Sequence, residues 1–146
     1  MNYTTASKLF AITPPFAKSN NASVGTATID TFGFKFLRII VFLGDTDIAM
    51  AALKVQESDD SGMSGAADIS GTVGGTDFTL PSATSDNSFF VFNIQLKGNR
   101  KRYIDLVATT GSGSTGTFIT AIAELSHGEA APSSTTNRGI ATEIRV

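Results

Sequence analysis

Residues 88–96 read SFFVFNIQL, residues 102–108 read RYIDLVA, and the link between them, residues 97–101, is the basic segment KGNRK. Aromatic and β-branched side chains are typical of strands, and a five-residue link that contains glycine suits a hairpin. We therefore predict two antiparallel strands joined by a basic turn. Short apolar runs of the same kind recur along the chain, which indicates an all-β protein.

The recurring runs predict an antiparallel β-sandwich, jelly-roll-like, with roughly eight or nine short strands and extended N- and C-terminal segments. Residues 1–22 are expected to form an N-terminal arm and residues 23–125 the sandwich domain. Residues 126–146 are expected to form a linker and a last strand, which completes the domain or exchanges with a neighbour. Strands are expected at residues 24–31, 34–43, 53–58, 77–80, 88–96, 102–109, 117–125 and 139–146, with one helical turn at residues 48–52.

Residues 34–43, FKFLRIIVFL, form the most apolar of these predicted strands. Polar and apolar side chains alternate in the first half, whereas the second half is apolar at every position. A strand that is apolar on both sides is typical of a central strand whose two faces are both covered. We therefore expect this strand to lie in the middle of a sheet, with protein on each side of it.

Composition excludes several classes of function. The chain has 146 residues, no cysteine and a net charge of −2, with 16% charged residues. Without cysteine there are no disulfides, thiolate metal ligands or thiol nucleophiles. A weak acidic balance disfavours direct contact with nucleic acid. No window reaches the ~20 apolar residues of a membrane span, and the N-terminus MNYTTASKLF lacks the apolar core of a signal peptide, so no membrane partner is expected.

Acidic residues gather in two predicted turns, with Asp45 and Asp47 in one and Glu57, Asp59 and Asp60 in or beside the other. Calcium takes six to eight oxygen ligands, which two such turns would supply only if they met in space. A glycosidase also needs two carboxyl groups, but no aromatic platform accompanies these. Local capping of the turns is the favoured interpretation, and whether they hold a cation stays open.

Other catalytic patterns are weak. His127 is the single histidine and follows Ser126, but no G-x-S-x-G turn is present for a nucleophile. The glycine-rich residues 71–75 and 111–116 are not followed by Lys-Ser or Lys-Thr, as a phosphate-binding loop requires. We therefore predict a protein that is not an enzyme, with no catalytic, cofactor or metal residues.

Two groups of residues are candidates for contact with other protein. The basic run in the link between the two quoted strands is either a solvated turn or a surface that meets acidic turns of another copy. The apolar residues of the N-terminal arm either pack on the domain's own sheet or reach a neighbouring subunit. The candidate contact residues are Leu9, Phe10, Ile12, Phe16, Lys97, Arg100, Lys101 and Arg102.

Two stretches carry a resemblance to a known group of proteins. Residues 53–65 read LKVQESDDSGMSG, and residues 98–132 read GNRKRYIDLVATTGSGSTGTFITAIAELSHGEAAP. Both resemble small virion proteins of tailed double-stranded DNA bacteriophages. These proteins carry an L-K-x-Q-E-S-D-D segment and a later R-K-R-Y-[IL] segment, which leads to an apolar strand and an A-P-containing tail. The resemblance covers about a third of the chain and transfers no catalytic residues.

The resemblance implies a capsid cement or decoration protein, which stabilises the shell by binding across subunits of the major capsid protein. It would be made in the host cytoplasm and reside on the capsid surface of the virion. Its expected partners are the major capsid protein and itself, as a homotrimer, since closed symmetric assembly is the norm for such modules. The alternative is a tail or head-fibre component that acts as a carbohydrate- or receptor-binding β-module.

Overall fold

The computed structural model describes residues 6–15, 19–24, 27–129 and 136–144. In this part of the chain eight strands form two antiparallel sheets of four. A short 3-10 helix, Thr136–Arg138, follows the last strand. The strands are β1 (Lys8–Thr13), β2 (Ile29–Asp30), β3 (Phe36–Thr46), β4 (Ala52–Ser58), β5 (Ala67–Asp68), β6 (Ser88–Gln95), β7 (Tyr103–Thr109) and β8 (Thr117–Ser126).

The strand order is that of a jelly roll. Sheet one has the order β1-β8-β3-β6, and sheet two has the order β2-β7-β4-β5. Four nested antiparallel pairs, β1–β8, β2–β7, β3–β6 and β4–β5, are rolled into two layers. The pairs β3–β8 and β4–β7 then join them within the sheets. The predicted jelly-roll-like antiparallel sandwich is thus confirmed.

The core lies between the sheets and is built by alternation along each strand. In β8, the side chains of Ile119, Ala121, Ala123 and Leu125 are buried, and the residues between them face outward. Each fully buried aliphatic side chain stabilises the fold by about 1.5–3 kcal/mol. The largest fully buried apolar side chains are Ile29, Leu37, Ile39, Val41, Leu43, Leu53, Val55, Ile104, Leu106 and Leu125.

The predicted hairpin is wrong. β6 pairs with β3 in sheet one, whereas β7 pairs with β4 and β2 in sheet two. Residues 97–101 therefore cross from one layer to the other. A five-residue glycine-containing link can turn a hairpin or span two layers, and the long pairings of β6 with β3 and of β7 with β4 decide between them.

Three smaller predictions are also wrong. Residues 48–52 form no helical turn, and Met50 in this segment is buried in the core. Residues 77–80 form no strand, because the Asp77 carboxylate accepts two backbone N–H groups and closes a turn there. Of the predicted last strand, residues 139–144 are described, and they are irregular. In each case tertiary contacts override a local pattern.

Part of the predicted N-terminal arm belongs to the sandwich. β1 is an edge strand of sheet one that pairs with β8. Farther along, Ser19 forms a two-hydrogen-bond bridge with Thr117 at the start of β8. Of the strand expected at residues 24–31, the described residues form β2 at Ile29–Asp30, which pairs with β7, and Val24 also donates its backbone N–H to β7. The described residues contain no helix of the length and apolar character needed to cross a bilayer.

Candidate protein-binding surface

The outward-facing side of sheet one is largely apolar. Five of the seven large exposed hydrophobic side chains in the described residues lie on it, with exposures from 39% to 66%. Contiguous exposed apolar patches of this kind mark interaction sites, whereas scattered single residues do not. We call this surface the apolar face; it comprises Leu9, Ala11, Ile40, Phe42, Phe89, Val91, Phe118 and Ile122.

The strand register makes the apolar face continuous. Ala11, Ile122, Ile40 and Val91 lie directly opposite one another and form a row across all four strands. In the next row Phe42 lies opposite Phe89, and their ring centroids are 4.8 Å apart. Side chains that lie directly opposite each other on one face of a sheet are in contact, and large side chains also reach their diagonal neighbours in the next row. The two rows therefore form one surface.

A charged row borders the apolar rows on one side. Glu124 and Arg38 lie opposite each other at its centre, with Leu9 beside Glu124 and Asn93 beside Arg38. The Arg38 Nε–H donates a hydrogen bond to Asn93 Oδ1 at 3.1 Å. The border therefore presents one positive and one negative side chain on neighbouring strands.

A shallow cavity of about 320 Å³ lies at the other end of the apolar face. Phe42 and Phe118 form two of its walls, and Pro15 forms part of its rim. A side chain at Gly44 would place its Cβ 3.1 Å from Phe118 Cβ, so the glycine leaves space for the Phe118 ring. Cavities of this kind accept the anchor side chains that dominate binding energy in protein interfaces.

The apolar face was not selected from the sequence, although a signal for it was present. Residues 39–43 are apolar at every position, which predicted a central strand covered on both faces. β3 is indeed central, but only one side is sealed: Ile39 is fully buried, while Ile40 and Phe42 are half-buried and Arg38 is exposed. Nothing in the described part of the chain covers the second side.

The candidate contact residues of the N-terminal arm have different positions. Leu9 lies on the apolar face with 39% of its surface exposed. Phe10 is half-buried against the core, and Ile12 is buried within it at 3% exposure. Ile12 is therefore not available to a partner while β1 stays in the sheet. Phe16 lies outside the described residues.

The basic link is largely neutralised by the chain itself. Arg102 makes a two-hydrogen-bond ion pair with Asp30, with both N···O distances at 2.8 Å. Arg100 Nη1 lies 3.1 Å from Glu57 Oε2, which also accepts the backbone N–H of Lys101. Lys97 is exposed. Because two of the four cationic groups have acidic partners within the fold, the link is a weaker acid-binding surface than its composition indicated.

The Asp30–Arg102 pair predicts a small pH-dependent contribution to stability. The hydrogen bonds from Arg102 hold the pKa of Asp30 below its ordinary value of 3.8. A carboxyl group whose pKa is lowered by folding stabilises the folded state above the ordinary pKa, and this contribution is lost as the pH falls through the folded-state pKa. Both side chains are more than one-third exposed, so solvent screening keeps the contribution below about 1 kcal/mol.

We expect Asp30→Asn to lower the free energy of unfolding slightly near pH 7 and to have a smaller effect near pH 2, because more of the Asp30 carboxyl is protonated there. Urea unfolding at both pH values measures this. A double-mutant cycle with Arg102→Gln isolates the pair from other effects of each substitution. A coupling energy that does not change between the two pH values would contradict the prediction.

An aromatic corner lies beside the same link. Phe32 is 74% exposed, and the Arg102 guanidinium lies over its ring at 4.9 Å from the centroid. A cavity of about 330 Å³ opens here, and Thr31, Phe34 and Lys101 also line it. The corner combines an apolar ring, hydroxyl and cationic groups, which suits a small polar ligand.

The acidic turns act within the fold. Asp47 accepts the backbone N–H groups of Thr115 at 2.6 Å and Gly116 at 2.9 Å, and the Thr115 bond is the main cause of the lowered pKa of Asp47. Asp60 accepts the N–H of Gly62 within its own turn. In the described ranges no three His, Cys, Asp or Glu residues come together as a metal site would require. His127 directly follows β8, and its ring is edge-on to Phe36.

Comparison with known proteins gives little. No family model matches the chain, and no curated protein matches it. The crystal structure of SPBc2 prophage-derived protein YomS is similar over 82% of this chain and 92% of its own, with 12% sequence identity and a TM-score of 0.44. A likeness this weak carries no functional argument, so function rests on the chain's own surfaces.

Proposed function

We propose that the chain is a structural protein of a tailed-phage virion, of the capsid cement or decoration type. The observation that carries the proposal is the apolar face, a continuous surface of exposed and half-buried aliphatic and aromatic side chains on one side of the sandwich. Exposing such a surface to water is unfavourable in free energy for a protein that stays monomeric. Burying it against another protein in an assembly removes that cost. The apolar face is therefore covered by protein in the particle.

Two further features support this proposal. Jelly rolls serve as viral capsid domains and as lectins, so the fold is compatible with it, although a fold alone does not fix a function. The resemblance of residues 53–65 and 98–132 to phage virion proteins points to the same class. Burial at ~25 cal/mol per Å² of apolar area contributes several kcal/mol per copy before association costs, and the gain repeats over many equivalent sites.

Co-sedimentation with purified shells of the parent phage tests the proposal. The wild-type chain is expected to pellet with shells and to saturate at a fixed number of copies per capsid subunit. Phe89→Ser is expected to reduce binding at least about tenfold, since Phe89 is the most exposed residue of the apolar face. Phe32→Ser is the matched control, because it removes an exposed ring outside the face. Absence of wild-type chain from the pellet would refute the cement role.

One observation favours the alternative, a tail or fibre module that binds a carbohydrate or receptor. The aromatic corner presents Phe32 beside a cavity with hydroxyl and cationic groups, and stacking on an exposed ring is a common way to hold a sugar. The same pair of variants separates the two functions. Glycan-array binding that is lost in Phe32→Ser and kept in Phe89→Ser would support the alternative over the cement role.

A further inference from the structure

We propose that the apolar face is the interface of a symmetric dimer, in which the face of one copy packs on the same face of a second copy. This rests on the proposed function only in taking the apolar face as a protein-binding surface. The second copy then covers the face, the dimer meets the shell with its remaining surfaces, and Phe89→Ser lowers shell binding by weakening the dimer. The inference comes from the strand register, which makes the face complementary to itself.

The symmetry that fits the face is a two-fold axis between the two copies, parallel to the strands and midway between β8 and β3. A rotation about this axis reverses the order of the strands but keeps every row in place. β8 of each copy then lies over β3 of the other, and β1 lies over β6. Packed sheets lie about 10 Å apart at a small angle of about 30°, so the rows nearest the axis stay opposed.

The charged row becomes self-complementary under this rotation. Glu124 lies on β8 and Arg38 lies in the same row on β3. The two-fold therefore places Glu124 of each copy against Arg38 of the other and forms two equivalent ion pairs. A displacement by one row would instead separate both pairs, with the charges of one copy against Ile40 and Ile122 and those of the other against Phe36 and Ser126. The pairs thus fix the register of the two copies.

The apolar rows also match themselves. In the central row Ile122 of one copy meets Ile40 of the other, and the small Ala11 meets the larger Val91. At each edge of the interface a large side chain therefore lies over a small one, and the two together fill the space between the packed sheets. The second copy thus covers the outward-facing side of β3, which the apolar sequence of this strand predicts to be covered.

The area of the face sets the expected strength of the dimer. Four strands about 4.8 Å apart and about 20 Å of strand length give each copy a flat area of roughly 400 Å², and two copies a total of roughly 800 Å². That lies in the range of weak, transient interfaces, for which we expect a dissociation constant of micromolar order or weaker. The dimer is therefore expected to form at the high local concentration of an assembling particle and to dissociate on dilution.

Sedimentation velocity of the full chain across micromolar concentrations tests this. The wild type is expected to shift from monomer to dimer as concentration rises. Arg38→Glu and Glu124→Arg should each raise the dissociation constant about a hundredfold or more, because each places like charges together twice. Ile122→Asp should do the same, whereas Phe32→Ser should leave dimerisation unchanged.

Mixing the two charge-reversal variants gives the decisive measurement. Each variant also sets like charges on neighbouring strands of its own chain, and mixing cannot repair that loss. Between the two different variants, however, both ion pairs are restored: the unchanged Glu124 of one meets the unchanged Arg38 of the other, and the two substituted side chains meet with reversed polarity. A mixture of Arg38→Glu and Glu124→Arg is therefore expected to form a heterodimer close to wild-type strength, and two non-associating populations would overturn the proposal.

The remaining outcomes separate this proposal from the cement function. A wild-type chain that stays monomeric, or forms a trimer insensitive to Arg38→Glu, overturns the two-fold pairing. If that monomer still binds shells through Phe89, the shell covers the face and the function stands without the dimer. A dimer that obeys the charge rules but never binds shells supports the pairing and refutes the cement role.

Discussion

Ile39→Ala is expected to lower the free energy of unfolding by about 3 kcal/mol, the typical cost of removing a large aliphatic side chain from a packed core. Ile39 is fully buried at the centre of β3, with Phe92 opposite it on β6 and Ala123 opposite it on β8. Both neighbouring strands are held to β3 by long ladders of backbone hydrogen bonds, so the space left behind closes only in part. Urea unfolding should show a lower midpoint with an unchanged slope.

Ile40→Ala is the matched control, because the same residue type on the same strand points the other way. Ile40 is half-buried on the apolar face. Its truncation should cost the dilute monomer less than about 1 kcal/mol, since little area returns to water. Near-equal losses at Ile39 and Ile40 would contradict a core confined between the two sheets. Ile40→Ala should instead weaken dimerisation, which the same samples report at higher concentration.

Strand positions are predictable where the side chains of a strand alternate strictly between core and solvent. β8 matches the predicted segment 117–125 to within one residue, and β4 matches 53–58 equally well. β2 and β5 have only two residues each, so their existence depends on a long-range partner and not on their own pattern. A strand of two residues is too short to show an alternating pattern, so hydrophobic periodicity cannot predict it.

The local sequence pattern could not predict which of the two sheets each strand belongs to. In a jelly roll with this strand order, consecutive strands change sheets everywhere except between β4 and β5. The link from β6 to β7 has the length and glycine content of a hairpin, yet it spans the two layers. Both arrangements bury the same alternate side chains, so the hydrophobic pattern cannot distinguish them.

The free charge of the basic run was overestimated for a related reason, since the acidic partners of its residues lie far apart from it in sequence. Arg102 is paired with Asp30, 72 residues away, and Arg100 with Glu57, 43 residues away. A basic run read in isolation therefore overstates the charge that is free to meet a partner. The sequence of β3 was the better signal, because a strand that is apolar on both sides needs cover on both, and the described part of the chain covers only one of them.

Gly116→Ala is expected to destabilise the fold by at least about 3 kcal/mol, the sum of a left-handed backbone penalty and a forced displacement of packed backbone. Gly116 has φ +88°, and an added Cβ would collide with the carbonyl of Ser19. The Gly116 N–H also donates to Asp47 Oδ1 at 2.9 Å. The turn thus lies where the N-terminal segment is bridged to β8, and a shift there also breaks the Ser19–Thr117 pair.

Gly98→Ala separates the left-handed backbone penalty from the cost of displacing packed backbone. Gly98 has a similar φ of +71°, but a Cβ added there meets nothing within 4 Å. Its substitution should therefore cost only the backbone term, about 1–2 kcal/mol. Urea unfolding of both variants measures the difference, which is the contribution of the close approach between Gly116 and Ser19. If the two substitutions lower the free energy of unfolding equally, the residues around Ser19 move at no cost. Their contact with Gly116 then does not hold the N-terminal segment against β8.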